Sequence, residues 1–434
     1  MGTRRRRAAA LVALAALAAG CTSSGPTSVP PPGKSPTPAA PVTSPLPSLI
    51  APSPSLTPSP LASASVAASP ACLSLAQQIA GWSVARKAAQ LVAIPSYDFN
   101  LDDLGTPLAA GAGGVLFIGS AAAPANLASR IKIADGLAPA ATPPLTMADE
   151  EGGGVQRLEN LVGDLPWPRQ LAASDSPAQV TALVTAMAKK MKADGVVMDL
   201  APVLDVDGGA GPSATDADGQ RSFSAVPATV TQYGAAFIKG LEAGGVIPVA
   251  KHFPGLGGSS GNTDYGAAQT LPLATLQTQA LPPFSAAVSG GIPAVMVANA
   301  TVPGVSTVPA SLSEAVVGGM LRGDLHFTGL VLTDSLSGGA IAAAGYSVPS
   351  AAVAAIEAGD DMVLFGSTLG ATQLALLSPA NVNATFQAIV SAIEAAVASG
   401  KLPVSRFDAA VLDVLTAKGS LAPACVTASA SASP

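Results

Sequence analysis

Between Cys72 and Cys425, short and nearly continuous apolar runs alternate with Ala-rich stretches of helical pattern, and they do so eight times in order. The runs are Gln90–Ile94, Gly114–Ile118, Leu145–Asp149, Val196–Leu200, Ile247–Lys251, Ala294–Ala298, Leu330–Asp334 and Met362–Gly366. Each has the length of a strand and is apolar at successive positions, as parallel strands covered on both faces require. Many are entered through Gly or Pro, as at Gly113–Gly114, Pro144, Gly195 and Gly329. Strand and helix alternating eight times point to an α/β chain closed into a (β/α)8 TIM-type barrel, a single domain. An open doubly wound sheet is the alternative, but no glycine-rich dinucleotide turn follows the first run.

Polar residues concentrate at the C-terminal ends of these runs, where a barrel keeps its chemistry. The third ends at Asp149 and continues into Glu150–Glu151–Gly152–Gly153. The fourth ends near Asp199, the fifth at Lys251–His252, the sixth at Asn299 and the seventh at Asp334. Only 11% of the chain is charged, so charge placed this way marks a site. A single member can still be a cap or loop anchor.

The flanks carry a different message. Arg4–Arg7, an apolar stretch and Ala18–Ala19–Gly20–Cys21 have the order of an export signal. Residues 1–20 are read as a lipoprotein signal peptide with Cys21 as the lipidated residue; an ordinary secretory signal is the alternative. Residues 21–71 are rich in Pro, Ser, Thr and Ala and are read as a disordered, partly extended linker. The barrel is assigned to 72–425 and a disordered tail to 426–434. Without residues 1–20 the chain has 17 basic and 27 acidic residues, a net charge of −10. Such a balance offers no footprint for nucleic acid. Cys72 and Cys425 bracket the folded body, and in an exported chain they read as a disulfide; two unpaired buried thiols are the alternative. The expected setting is the outer face of the cell membrane, lipid-anchored in the region of the cell wall, as a monomer.

The segments DEEGGGVQRL (Asp149–Leu158), APVLDV (Ala201–Val206), RSF (Arg221–Phe223), AKHFPGLG (Ala250–Gly257), PASLS (Pro309–Ser313) and LTDSL (Leu332–Leu336) stand in this order. Together they resemble family 3 glycoside hydrolases over about residues 80–420, in particular the single-barrel β-N-acetylglucosaminidases. The resemblance implies retaining hydrolysis of a terminal β-linked N-acetylglucosamine from cell-wall glycans, through a covalent glycosyl–enzyme intermediate. It makes Asp334 the nucleophile, a helix N-cap being its other possible role. Asp149 would grip sugar hydroxyls, with Arg221, Lys251 and His252 around the same ring and Asn299 also at the substrate. Arg157 either anchors its own loop or touches ligand.

The chain also departs from that pattern. Leu256 stands where the branch has a histidine after KHFPG, and Tyr265–Gly266 follow Asp264 where Ser-His would supply the acid/base. The only histidines are His252 and His326, and His326 falls in a helix-to-strand connection on the wrong side of the barrel. Gly154 replaces an arginine, and Asn299 stands where a histidine is frequent. Proton transfer then falls to Asp264, Tyr265 or Glu150, or is lost. The Gly/Ser-rich segment 257–262 is expected to leave its loop open without ligand. No metal cluster, Ser–His–Asp arrangement or nucleotide loop is evident, so no cofactor is expected. A glycosidase is the first reading; a carbohydrate-binding lipoprotein with impaired turnover is the second, followed by a plain glucosidase or a transglycosylating enzyme.

Overall fold

The structure is a computed structural model that describes residues 71–139, 142–419 and 424–426. Cys21, the signal peptide and most of the linker and tail therefore lie outside the described residues. Eight parallel strands form one sheet: β1 Val92–Tyr97, β2 Gly114–Ile118, β3 Leu145–Ala148, β4 Met198–Asp199, β5 Ile247–Phe253, β6 Ala294–Val297, β7 Leu330–Thr333 and β8 Val363–Leu364. Their order in space is β7-β6-β5-β4-β3-β2-β1-β8. A parallel bridge between Leu332 and Met362 joins β7 to the start of β8 and brings the two ends of the sheet together. Every expected strand is present: β2 has the expected bounds, β3, β6 and β7 each end one residue early, β4 and β8 keep two residues each, and β1 and β5 run past their expected ends.

Local chemistry explains the frame. The glycine pair ahead of β2 is sterically required: a Cβ on Gly113 would lie 1.8 Å from the Gln90 carbonyl oxygen. The helices that follow the strands are α1 Gly105–Ala110, α2 Leu127–Asp135, α3 Pro177–Ala193, α4 Pro227–Gly244, α5 Leu281–Ser289, α6 Ala315–Asp324, α7 Val348–Ala358 and α8 Pro379–Ala398, with α9 Val404–Lys418 closing the ring. Ser176 caps α3 through the Gln179 N–H while the Gln179 side chain returns to the Ser176 N–H, and Pro177 takes the first helical position. α6 is π-helical, its last turn closed by the Leu325 N–H on the Met320 carbonyl. Val331, Leu332, Val295 and Val297 are fully buried, and one apolar cluster runs from the barrel to the helix ring. Among the described residues no helix is long and apolar enough to cross a membrane.

Outside the barrel, Ala71–Leu73 pairs antiparallel with Ala424–Val426, and Cys72 lies directly opposite Cys425. At the C-terminal mouth a small hairpin, Glu150–Gly152 with Val155–Gln156, rises from the end of β3.

Candidate active site

The hairpin after β3 sets the depth of the mouth. Glu150 is buried and its carboxylate accepts the backbone N–H groups of Arg157 and Leu158 and a side-chain N–H of Gln156. Burial raises its carboxyl to about 7 against those hydrogen bonds. Asp199 at the end of β4 accepts the Glu150 N–H at 2.9 Å. Both carboxylates hold the hairpin from behind. Glu150 does not line the cleft, and this excludes it as the proton donor.

The next residue, Glu151, to which the sequence assigns no role of its own, organises the site. It is 1% exposed. Its carboxylate accepts from Arg221 Nε at 2.7 Å and Nη2 at 2.8 Å, and Lys251 Nζ lies 2.6 Å away. Burial opposes its charge, but Arg221 and Lys251 outweigh burial and hold the carboxyl well below the usual range. Lys251 Nζ also donates to Asp149 Oδ1 at 2.6 Å. A register shift in β5 between Ala250 and Phe253 accompanies the placement of Lys251 and His252, both of which face the cleft.

His252 is fixed from behind. Its Nδ1 lies 2.7 Å from Asp205 Oδ2, and Arg221 Nη2 approaches Nε2 at 3.5 Å. Arginine can only donate, so Nε2 accepts and Nδ1 carries the proton given to Asp205. Burial, then the Arg221 charge, lowers the imidazole to about 4, and the ring is neutral at pH 7.

Asp334 sits just past β7, its N–H on the Val297 carbonyl at 2.9 Å and its Oδ1 accepting the Ser335 N–H at 2.6 Å. Burial raises its carboxyl, and the charge of Asp264 adds to the rise. Asp264 is likewise raised, first by burial, while a hydrogen bond from Ser367 works the other way.

These side chains meet in one cleft of about 340 Å³ lined by Asp149, Glu151, Arg221, Lys251, His252, Asp264 and Asp334. Leu116, Leu200, Met296 and Leu364 supply apolar wall. Arg157 lines the rim and also donates to the Gly119 carbonyl at 3.3 Å. The expectation for Asn299 is corrected. Its amide donates to the Ser335 carbonyl at 2.8 Å and accepts from Ser311 at 2.6 Å, so it fastens the Asp334 loop and stays out of the cleft. Tyr265 is half exposed and also lies outside the cleft. His326 lies in the α6–β7 connection, at the opposite face.

The loop that carries Asp264 is closed, against expectation. The Asn262 N–H reaches the Ala214 carbonyl, and Gly339 and Gln373 both donate to the Asp264 carbonyl. A Cβ on Gly339 would lie 2.6 Å from Tyr265 backbone, so only glycine lets the loop rest there. Gly266, where the branch places its histidine, has nothing within 4 Å of an added Cβ.

With the carboxyl groups of Asp334 and Asp264 lining one sugar-sized polar cleft, the arrangement suits attack at an anomeric carbon. Residues 85–417 match the model of the glycosyl hydrolase family 3 N terminal domain. The chain belongs to this family.

Among its relatives, beta-hexosaminidase LpqI of Mycobacterium tuberculosis is 37% identical over 290 residues, covering 64% of this chain and 69% of that one. A glycosyl hydrolase family 3 structure from Mycobacterium smegmatis is 33% identical with a TM-score of 0.68, over 79% of this chain and 99% of the other. The β-N-acetylhexosaminidase of Beutenbergia cavernae is 29% identical with a TM-score of 0.68, over 78% and 99%. The family 3 barrel described here is a glycosidase.

Proposed function

We propose that this family 3 barrel removes terminal β-linked N-acetylhexosamine, with N-acetylglucosamine of cell-wall glycans as the substrate, by a retaining mechanism. The observation that carries the reading is the meeting of Asp334 and Asp264 in the same cleft as the Asp149–Lys251–Glu151–Arg221 array. The array presents donors and acceptors to a polyhydroxylated ring, where each hydroxyl left unpaired would cost about 1–3 kcal/mol. The substrate class comes from the names of its relatives.

In the first step an Asp334 carboxylate oxygen bonds to the anomeric carbon as the bond to the leaving oxygen breaks, and Asp264 gives its proton to that oxygen. In the second, Asp264 takes a proton from water, which attacks the anomeric carbon and frees Asp334. His252, neutral, accepts a hydroxyl hydrogen at Nε2. Lipidation at Cys21, export, the monomeric state and a Cys72–Cys425 disulfide belong to the same reading, the last supported by their opposed positions in the terminal strand pair.

Gly266 in place of a histidine favours a second reading, a sugar-binding protein with little turnover. Hydrolysis of an aryl β-N-acetylglucosaminide by the wild-type protein and by Asp334→Asn separates the two. Turnover lost in the variant supports the glycosidase. Binding of N-acetylglucosamine with no turnover in the wild type supports the binding protein.

A further inference from the structure

Behind His252 lies a carboxyl group that the mechanism does not use. Asp218 ends the loop from β4 to the Gly219–Arg221 turn and is 1% exposed. That turn is held tightly, since a Cβ on Gly219 would lie 2.1 Å from the Gly211 nitrogen. Among the described residues no N–H or hydroxyl hydrogen-bonds to either Asp218 oxygen, and Arg221 Nη1 stands 3.6 Å away. Asp205 is in the opposite condition. Its Oδ1 accepts the backbone N–H groups of His252 and Leu256, and its Oδ2 accepts from His252 Nδ1. One carboxyl oxygen each of Asp205 and Asp218 and a ring nitrogen of His252 lie within 4.8 Å of one another. Arg221 beside them already supplies positive charge.

A carboxylate that takes this many donors is the ionised member of such a pair, and a carboxyl that meets none is the protonated one. Burial, with the Asp205 charge after it, holds the Asp218 carboxyl well above its ordinary range. Burial raises the Asp205 carboxyl as well, to about 7, while the backbone N–H groups of Leu256 and His252 and the neighbouring Asp218 work the other way. The other titratable groups facing the pair are Arg221, His252 and Asp207.

We propose that Asp218 is a positioning residue: as a neutral acid it donates its O–H to Asp205, which keeps Asp205 ionised and locks His252 with Nδ1–H inward and an unprotonated Nε2 toward Arg221 and the cleft. The proposal rests on the glycosidase reading for its consequence in turnover, though the tautomer can be observed without it. Asn at position 218 supplies an N–H donor in the same place and can never ionise, whereas Ala supplies none.

The experiment is 15N NMR of histidine-labelled full-length protein, wild type, Asp218→Asn and Asp218→Ala, beside turnover of an aryl β-N-acetylglucosaminide. The chain has two histidines, and His326→Gln assigns the spectrum. Wild type and Asp218→Asn are expected to show a neutral, Nδ1-protonated His252. Asp218→Ala is expected to show exchange between tautomers and a kcat/KM lower by roughly 10- to 100-fold, the scale for losing an outer partner that orients a histidine. Asp218→Asn should recover most of that loss. If Asp218→Asn matches Asp218→Ala in spectrum, the group acts as an ion and the proposal fails. Absence of turnover in the wild type with the tautomer pattern intact would reject the glycosidase reading alone.

Discussion

Glu151 accepts both N–H groups on one edge of Arg221, at 2.7 and 2.8 Å, in a site where neither side chain is more than 15% exposed. The pair fixes a cation at the sugar site and simultaneously consumes a carboxylate that would otherwise repel Asp149. Removing one partner of a buried ion pair strands the other, at a cost of about 3–5 kcal/mol. Glu151→Gln should therefore lower folding stability on that scale, with loss of sugar affinity. Denaturant unfolding with isothermal titration of N-acetylglucosamine checks it; a change within experimental error would show that the array is not coupled.

Under the proposed mechanism, Gly266 is the position from which an acid/base side chain could be supplied. Its backbone is unstrained for a side chain and an added Cβ meets open space. General acid/base groups contribute about 10²–10⁴ in rate. Gly266→His should raise kcat on a disaccharide by up to that range while changing an activated aryl glycoside little. Kinetics on the two substrates read this directly.

Asp334 must be ionised and Asp264 protonated for the first step, and both carboxyls are raised by burial. Turnover should climb with pH as Asp334 loses its proton, then fall as Asp264 loses its own, the two limbs belonging to the pair. Asp264→Asn should abolish the alkaline fall and cost about 10²–10⁴ on a disaccharide, yet spare aryl leaving groups that depart without protonation. An alkaline limb that persists in the variant would assign the acid elsewhere.

The fold was legible because each barrel strand is a closed apolar run, and the order of the runs leaves little choice of topology. Asp149, Arg221, Lys251, His252, Asp264 and Asp334 were legible because they sit in or beside recognisable segments. Glu151, Asp205 and Asp218 were not, although Glu151 stands inside DEEGGGVQRL and Asp205 inside APVLDV. Their roles depend on which side of a hairpin or loop a carboxylate faces, and linear spacing carries no such information. A Glu-Glu pair gives no sign that Glu150 binds backbone N–H groups while Glu151 binds two cations. The Asp264 loop was expected open from its glycines, but those glycines allow close backbone contact instead, as Gly257 against Val206 shows.

Cys72 and Cys425 face one another across an antiparallel pair, where Cα atoms lie about 4.5–5.5 Å apart, within the span a disulfide bridges. Reductant should lower the thermal midpoint of the oxidised protein, with stabilisation of about 2–4 kcal/mol lost, and leave Cys72→Ser/Cys425→Ser unaffected. Free-thiol titration of the denatured, unreduced protein should find neither cysteine reactive.

The central claim is a covalent bond between the sugar and Asp334. A fluorinated N-acetylglucosaminyl fluoride, which slows the second step, should accumulate the intermediate. Mass spectrometry of the digested protein is predicted to find one sugar on the peptide that contains Asp334, and none in Asp334→Asn. A sugar carried by Asp264, or steady turnover with no labelled peptide, would contradict the account.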